Sequence, residues 1–177
     1  MKEEIEDMAI NKMKLKKYCK ENFDHKVEAR FLERKNQLDN VVYSLIRLKD
    51  IHKAKEFYLR ILEKEADFGE LAKMYSEGLE SKTRGIIGPY PLEKAHPILA
   101  EQLRNSKSGK VQPPLEIDSS YIITRVESYE PAKLDEYMRG KMAEELFNIW
   151  AESKVNDICA NFLRDRLRDQ NDNEEMI

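Results

Sequence analysis

The side chains able to do acid–base or metal chemistry are few and scattered. His25, His52 and His96 are the three histidines, and no pair of them has the spacing of a metal site. Cys19 and Cys159 lie far apart, form no CxxC and read as thiols rather than a bridge. No Ser-His-Asp set, glycine-rich phosphate loop or zinc signature is present. The informative stretch is Ala66 to Val126. There an Asp67-Phe68 pair opens a short amphipathic helix, followed by Gly85-Ile86-Ile87-Gly88, Pro97-Ile98-Leu99, Gly109-Lys110-Val111 and Tyr121-Ile122-Ile123-Thr124-Arg125-Val126.

The elements that must position these pieces fall into three regions. To about Asn40 the chain is almost free of Gly and Pro. Ile5, Met8, Ala9, Met13 and Leu15 form a stripe at helical spacing, with a break at 22–24 and a second stripe from Val27, Phe31 and Leu32. Such amphipathic helices need a partner to cover them. From 41 to 130 the pattern is strand, helix, helix, strand, helix, strand, strand. Val41 to Ile46 reads as a buried strand. Asp50 caps a helix carrying Ala54, Phe57, Tyr58, Ile61 and Leu62. Asp67, with Glu70 three residues on, forms a capping box ahead of Leu71, Met74 and Tyr75. Gly85 to Tyr90 is a short strand, and Glu93 to Leu103 a helix that tolerates Pro97 only in its first turn. Lys110 to Ile117 and Ser120 to Glu127 are strands joined by a turn at Asp118-Ser119. After Pro131, Leu134, Met138, Met142, Leu146, Ile149 or Trp150, Ile158 and Phe162 recur every three to four residues. Residues 131–168 thus form the helical partner of segment 1–40, and 169–177 a frayed tail.

Bulk properties bound the partners. The 177 residues are 41% hydrophobic and 37% charged, with a formal charge of -3, which argues against nucleic acid as a main partner. The basic run Lys12 to Lys17 is flanked by Glu3, Glu4, Glu6, Asp7 and Glu21 and reads as a solvated helix face. The first residues carry no apolar h-region, and no stretch approaches the roughly 18 apolar residues that span a bilayer. The expected setting is cytoplasmic, without membrane insertion.

The order of motifs resembles the parvulin-type (rotamase) peptidyl-prolyl isomerases. The family's Ala-Asp-Phe-x-x-Leu-Ala-x-x-Tyr-Ser stands almost unchanged as Ala66 to Ser76. Its first strand corresponds to Val41 to Leu45, its Gly-Gly-Asp-Leu-Gly to Arg84 to Gly88, its Gly-Glu-Val-Ser-x-Pro turn to Gly109 to Pro114, and its last strand to Ser119 to Ile123. The flanking helices resemble the bacterial foldase form. Gly88-Pro89-Tyr90-Pro91-Leu92 and His96-Pro97 resemble short cytosolic, cyanobacterial-type parvulin-like proteins. The resemblance implies an α+β fold: a four-stranded antiparallel sheet with helices, inserted between N- and C-terminal helices that form a helical lobe.

It also implies where a site would lie. The two family histidines fall at Tyr43 and Tyr121, and the Asp or Cys falls at Ile86, which has no polar capacity. The apolar shelf for the proline ring falls at Ala95 and Leu99, with Gln112 and Asp118 as further peptide contacts. Two phenols can stand for two imidazoles in a hydrogen-bonding network, since each donates and accepts. The expected function is a weak isomerase or foldase for proline-containing peptides or unfolded protein, needing no cofactor. The alternative is a catalytically inactive peptide-binding chaperone or adaptor for a precursor peptide.

Overall fold

Strand β1 (Asn40–Leu48) organises the computed structural model, which describes residues 2–174. Its residues alternate: Val41, Tyr43 and Leu45 enter one apolar cluster, Ile46 and Leu48 another on the opposite face. Around it, β2 (Ile86–Pro91), β3 (Val111–Ile117) and β4 (Ser120–Glu130) complete an antiparallel sheet in the order β2-β1-β4-β3. The register is irregular beside Tyr43 on both neighbours. Tyr43 pairs with Ile87 and Val126, whereas Val41 pairs with Tyr90 and Val42 with Ser128. Bulges of this kind re-aim side chains and concentrate near functional sites.

Helices cover both faces. α2 (Ile51–Leu62) and α3 (Phe68–Tyr75) bury Ala54, Phe57, Ile61, Phe68, Leu71 and Ala72 against Ile46, Leu48, Val111 and Ile123. Both begin at aspartates: Asp50 Oδ1 accepts the His52 N–H at 2.7 Å, and Asp67 Oδ1 accepts the Glu70 N–H at 2.9 Å. The Glu70 carboxylate pairs with Arg84 at 2.7 Å. On the other face, α4 (Pro97–Asn105) buries Leu99, Ala100 and Leu103, and Thr124 Oγ1 donates to Gln102 Oε1 at 3.2 Å. Pro97 opens α4, where its missing N–H is harmless. The helix expected from Glu93 is a 3₁₀ turn at Leu92–Lys94 followed by α4, because Pro97 disfavours helical backbone at His96. Gly85, at φ +85°, lies so close to β1 that an added Cβ would stand 2.8 Å from the Leu45 carbonyl oxygen.

The β3–β4 connection is the expected two-residue turn, with Asp118 and Ser119 both left-handed at φ 47° and 61°. That is the type I′ geometry, which favours glycine at its second position. Relief of left-handed strain of about 1–2 kcal/mol exceeds the entropic cost of a glycine, about 0.5–1 kcal/mol. Ser119→Gly is therefore expected to raise stability by about 0.5 kcal/mol in urea unfolding.

The chain divides into two units: Arg34–Ala132, which holds the sheet, and Met1–Glu33 with Lys133–Ile177. The second consists of helix. α1 (Lys2–Leu38) is one helix, not two. The expected break at 22–24 is absent because Asn22 turns its amide back onto the Tyr18 carbonyl at 2.9 Å, and neither Gly nor Pro interrupts. Phe23, Val27 and Phe31 are buried as that stripe requires, whereas Leu32 is exposed. α5 (Glu136–Glu174) is likewise single, so residues 169–174 of the expected frayed tail are helical, and 175–177 lie outside the described residues. Within this unit Tyr18, Phe23, Phe147 and Trp150 form an aromatic cluster with ring centroids 5.8–6.4 Å apart. Asp24 accepts from Arg139 at 3.0 Å, and Arg30 pairs with Glu145 at 3.3 Å.

Candidate functional site

Tyr43 is where apolar surface and polar groups meet. Its ring belongs to the cluster of Leu45, Leu92, Leu99, Ile117, Ile122 and Val126, against which the half-buried Ile87, Ala95 and Leu115 pack. These three form the rim at which the cluster reaches solvent. Two residues on from Leu45, Arg47 lies opposite Ile122 and so shares the face of Tyr43. Arg47 Nε is 3.5 Å from Glu80 Oε1, with the arginine side chain 45% exposed and the glutamate 5%. Ser76 Oγ donates to the same carboxylate oxygen at 2.7 Å and accepts the Arg47 N–H at 3.0 Å. Glu77 closes the corner: its N–H donates to the Arg47 carbonyl, and its carboxylate accepts the Lys49 N–H.

The electrostatics follow from this arrangement. Burial pushes the Tyr43 phenol up, Glu80 and Tyr90 add to the rise, and Arg47 opposes it. The phenol therefore stays protonated at neutral pH and remains a donor. The Glu80 contact engages one of the five N–H donors of the Arg47 guanidinium. A buried carboxylate thus anchors a half-exposed guanidinium beside an apolar rim. This pairing can hold a small apolar ring and donate to a carbonyl at its edge. Among the described residues no group of three His, Cys, Asp or Glu could hold a metal ion.

The expected site residues separate. Tyr43, Ala95 and Leu99 share one cluster, with Leu99 buried inside it and Ala95 at its rim. Gln112 pairs with Thr124 in the register and so faces the same side; its amide donates to the Lys110 carbonyl at 3.3 Å. Tyr121 packs on the opposite face, against the cluster of Phe57, Phe68 and Ile123, opposite Leu48 in the register. The network expected of Tyr43 and Tyr121 is corrected accordingly: strand alternation puts the two phenols on different sides of the sheet. Ile86, opposite Ser44, is 50% exposed, and its neighbour Ile87 enters the Tyr43 cluster instead. Asp118 occupies the β3–β4 turn and is exposed. Arg47 had a visible signal, a cation at even spacing from Tyr43 in an otherwise apolar strand. Glu80 had none, because its burial depends on the 3₁₀ turn Leu79–Thr83 folding under β1.

Residues 47–128 match the sequence profile of the rotamase family, the PPIC-type PPIase domain. The chain carries a parvulin domain. Solved structures share its fold. A peptidylprolyl isomerase (PrsA) from Bacillus anthracis superposes with a TM-score of 0.56 at 21% identity, over 76% of this chain and 60% of that one. The foldase protein PrsA from Streptococcus pneumoniae gives 0.55 at 19%, over 74% and 51%. A PpiC-type peptidyl-prolyl cis-trans isomerase domain gives 0.50 at 19%, over 56% of this chain and 99% of that domain. This chain thus spans little more than half the length of either PrsA protein. No curated protein matches it. In the parvulin domain, β1, the Leu79–Thr83 turn and α4 together supply the Tyr43 face.

Proposed function

We propose that this chain is a peptidyl-prolyl cis-trans isomerase of parvulin type, acting on proline-containing segments of peptides or unfolded protein. The observation that carries the reading is the rim of Ile87, Ala95 and Leu115 beside Tyr43 and the Arg47–Glu80 pair. Rotation about an X–Pro bond faces a barrier of about 20 kcal/mol and needs no covalent intermediate. An apolar rim takes the ring out of water, and a donor aligned with the twisted amide lowers the barrier. Tyr43 and Arg47 supply donors, Gln112 extends the contact along β3, and Leu99 supports the rim from beneath. The proposed compartment is the cytoplasm, supported by two free thiols: Cys19 is buried and Cys159 exposed, where an oxidising setting would invite bridging between chains. Among the described residues no helix is long and apolar enough to cross a membrane.

A second reading, a peptide-binding chaperone or adaptor without catalysis, is favoured by the placement of Tyr121 and Ile86 away from the Tyr43 cluster. Cis/trans exchange of a panel of short X-Pro peptides, followed by NMR with and without the protein, separates the two. Catalysed exchange is expected, with Tyr43→Phe slowing it about tenfold, ~1.4 kcal/mol of barrier, and Tyr121→Phe leaving it unchanged. Uncatalysed exchange with shifted peptide resonances would establish the binder.

A further inference from the structure

We propose that the first turns of α1, residues 3–17, pack antiparallel against the same segment of a second copy of this chain. Ile5, Met8 and Met13 are each more than half exposed, and Ile10 nearly so. An amphipathic helix of this length is marginal in water when its apolar stripe is uncovered.

The charges name the occupant. Glu3, Glu4, Glu6 and Asp7 occupy the first two turns, and Lys12, Lys14, Lys16 and Lys17 the next ones. Acids at a helix N-terminus suit the macrodipole, but that field does not account for four lysines in the middle of a helix that ends at Leu38. Within one helix the arrangement is unfavourable, since Glu3 with Asp7 and Lys12 with Lys16 are like-charged pairs at i, i+4. The Lys17–Glu21 contact, at 3.8 Å and largely exposed, offsets little of this.

A two-fold copy resolves it. With Ile10 opposite Ile10, Glu3 meets Lys17, Glu4 meets Lys16 and Glu6 meets Lys14, twice over. Ile5 then meets Leu15, and Met8 and Met13 fill the seam between them. The patch is self-complementary, as an isologous interface requires. A parallel pairing would set acids against acids. The two methionines suit such a seam, because the thioether side chain adapts to irregular gaps.

Sedimentation velocity of the full chain across a concentration series tests this. The wild-type chain is expected to sediment at twice its monomer mass. The triple variants Glu3→Lys/Glu6→Lys/Asp7→Lys and Lys12→Glu/Lys14→Glu/Lys17→Glu are each expected to be monomeric, with far-UV circular dichroism showing retained helix. Mixing the two variants in equal amounts should restore a dimer containing one of each. A wild-type chain that stays monomeric at every concentration overturns the proposal, whether or not an unfolded client then binds this face. So does a dimer that survives both triple variants, or a mixture that fails to re-associate.

Discussion

Asp39→Ala is expected to cost the Arg34–Ala132 unit about 3 kcal/mol, because hydrogen bonds to a buried charged group are each worth about 1.5–3 kcal/mol and their donors would be orphaned together. Asp39 Oδ2 accepts the Tyr129 hydroxyl at 2.7 Å, while Oδ1 accepts the Ala132 N–H at 2.8 Å and Lys35 Nζ at 3.3 Å. Burial alone would raise the carboxyl, but these partners together hold it below the usual 3.8. Tyr129 moves the other way: burial first, then the Asp39 carboxylate, push its phenol up to about 12 from 10. The two shifts give opposite pH limbs. The Asp39 contribution is complete above its unfolded value near 3.8 and is lost as acid protonates the folded carboxyl. The Tyr129 contribution is complete below about 10 and is lost as the pH climbs toward 12. Urea titrations across pH should show stability falling at both ends. Asp39→Asn should flatten the acid limb, and Tyr129→Phe should flatten the alkaline one. Unchanged limbs in both variants would mean that the cluster contributes nothing to the pH dependence.

Arg47→Met is expected to reduce catalysed X-Pro exchange more than Tyr43→Phe does, by about 10²-fold, the usual loss when one preorganised donor is removed. Methionine keeps the stem over Ile122 and removes the guanidinium, so a drop in exchange with peptide affinity retained would mark a role in the twisted state. Its stability cost should be modest, about 1 kcal/mol, because the arginine is half exposed even though Glu80 is buried. Arg47→Lys restores the charge but not the planar fork and should recover part of the rate. Exchange unaffected by either variant would remove Arg47 from the site.

Local rules carried most of the fold. Asp50 and Asp67 cap helices because a short carboxylate reaches N–H groups two or three residues on, information contained in a few positions. The Asp118-Ser119 turn is equally local. What escaped is information distributed along the chain. The side on which Tyr121 falls depends on counting alternation from that turn, and on a register that shifts beside Tyr43. Comparison of motifs alone set Tyr43 and Tyr121 together, and pairing placed Leu48, not Tyr43, opposite Tyr121. Leu32 looked like core because its spacing from Val27 was acceptable, yet the buried face passes through Phe31. Glu80 is the hardest case, since a glutamate in a short turn ordinarily points to water. Only the folded position of Ser76 and Arg47 makes its burial tolerable.

The aromatic cluster of the helical unit has a practical consequence. Trp150 is the only tryptophan in the chain, and it stands among Tyr18, Phe23 and Phe147 rather than in the sheet unit. Emission excited selectively at the indole therefore reports the α1–α5 half alone, while Arg34–Ala132 is silent in that channel. Melting followed by indole fluorescence and by the strand signal of infrared absorption would track the two units separately in one sample, without any label.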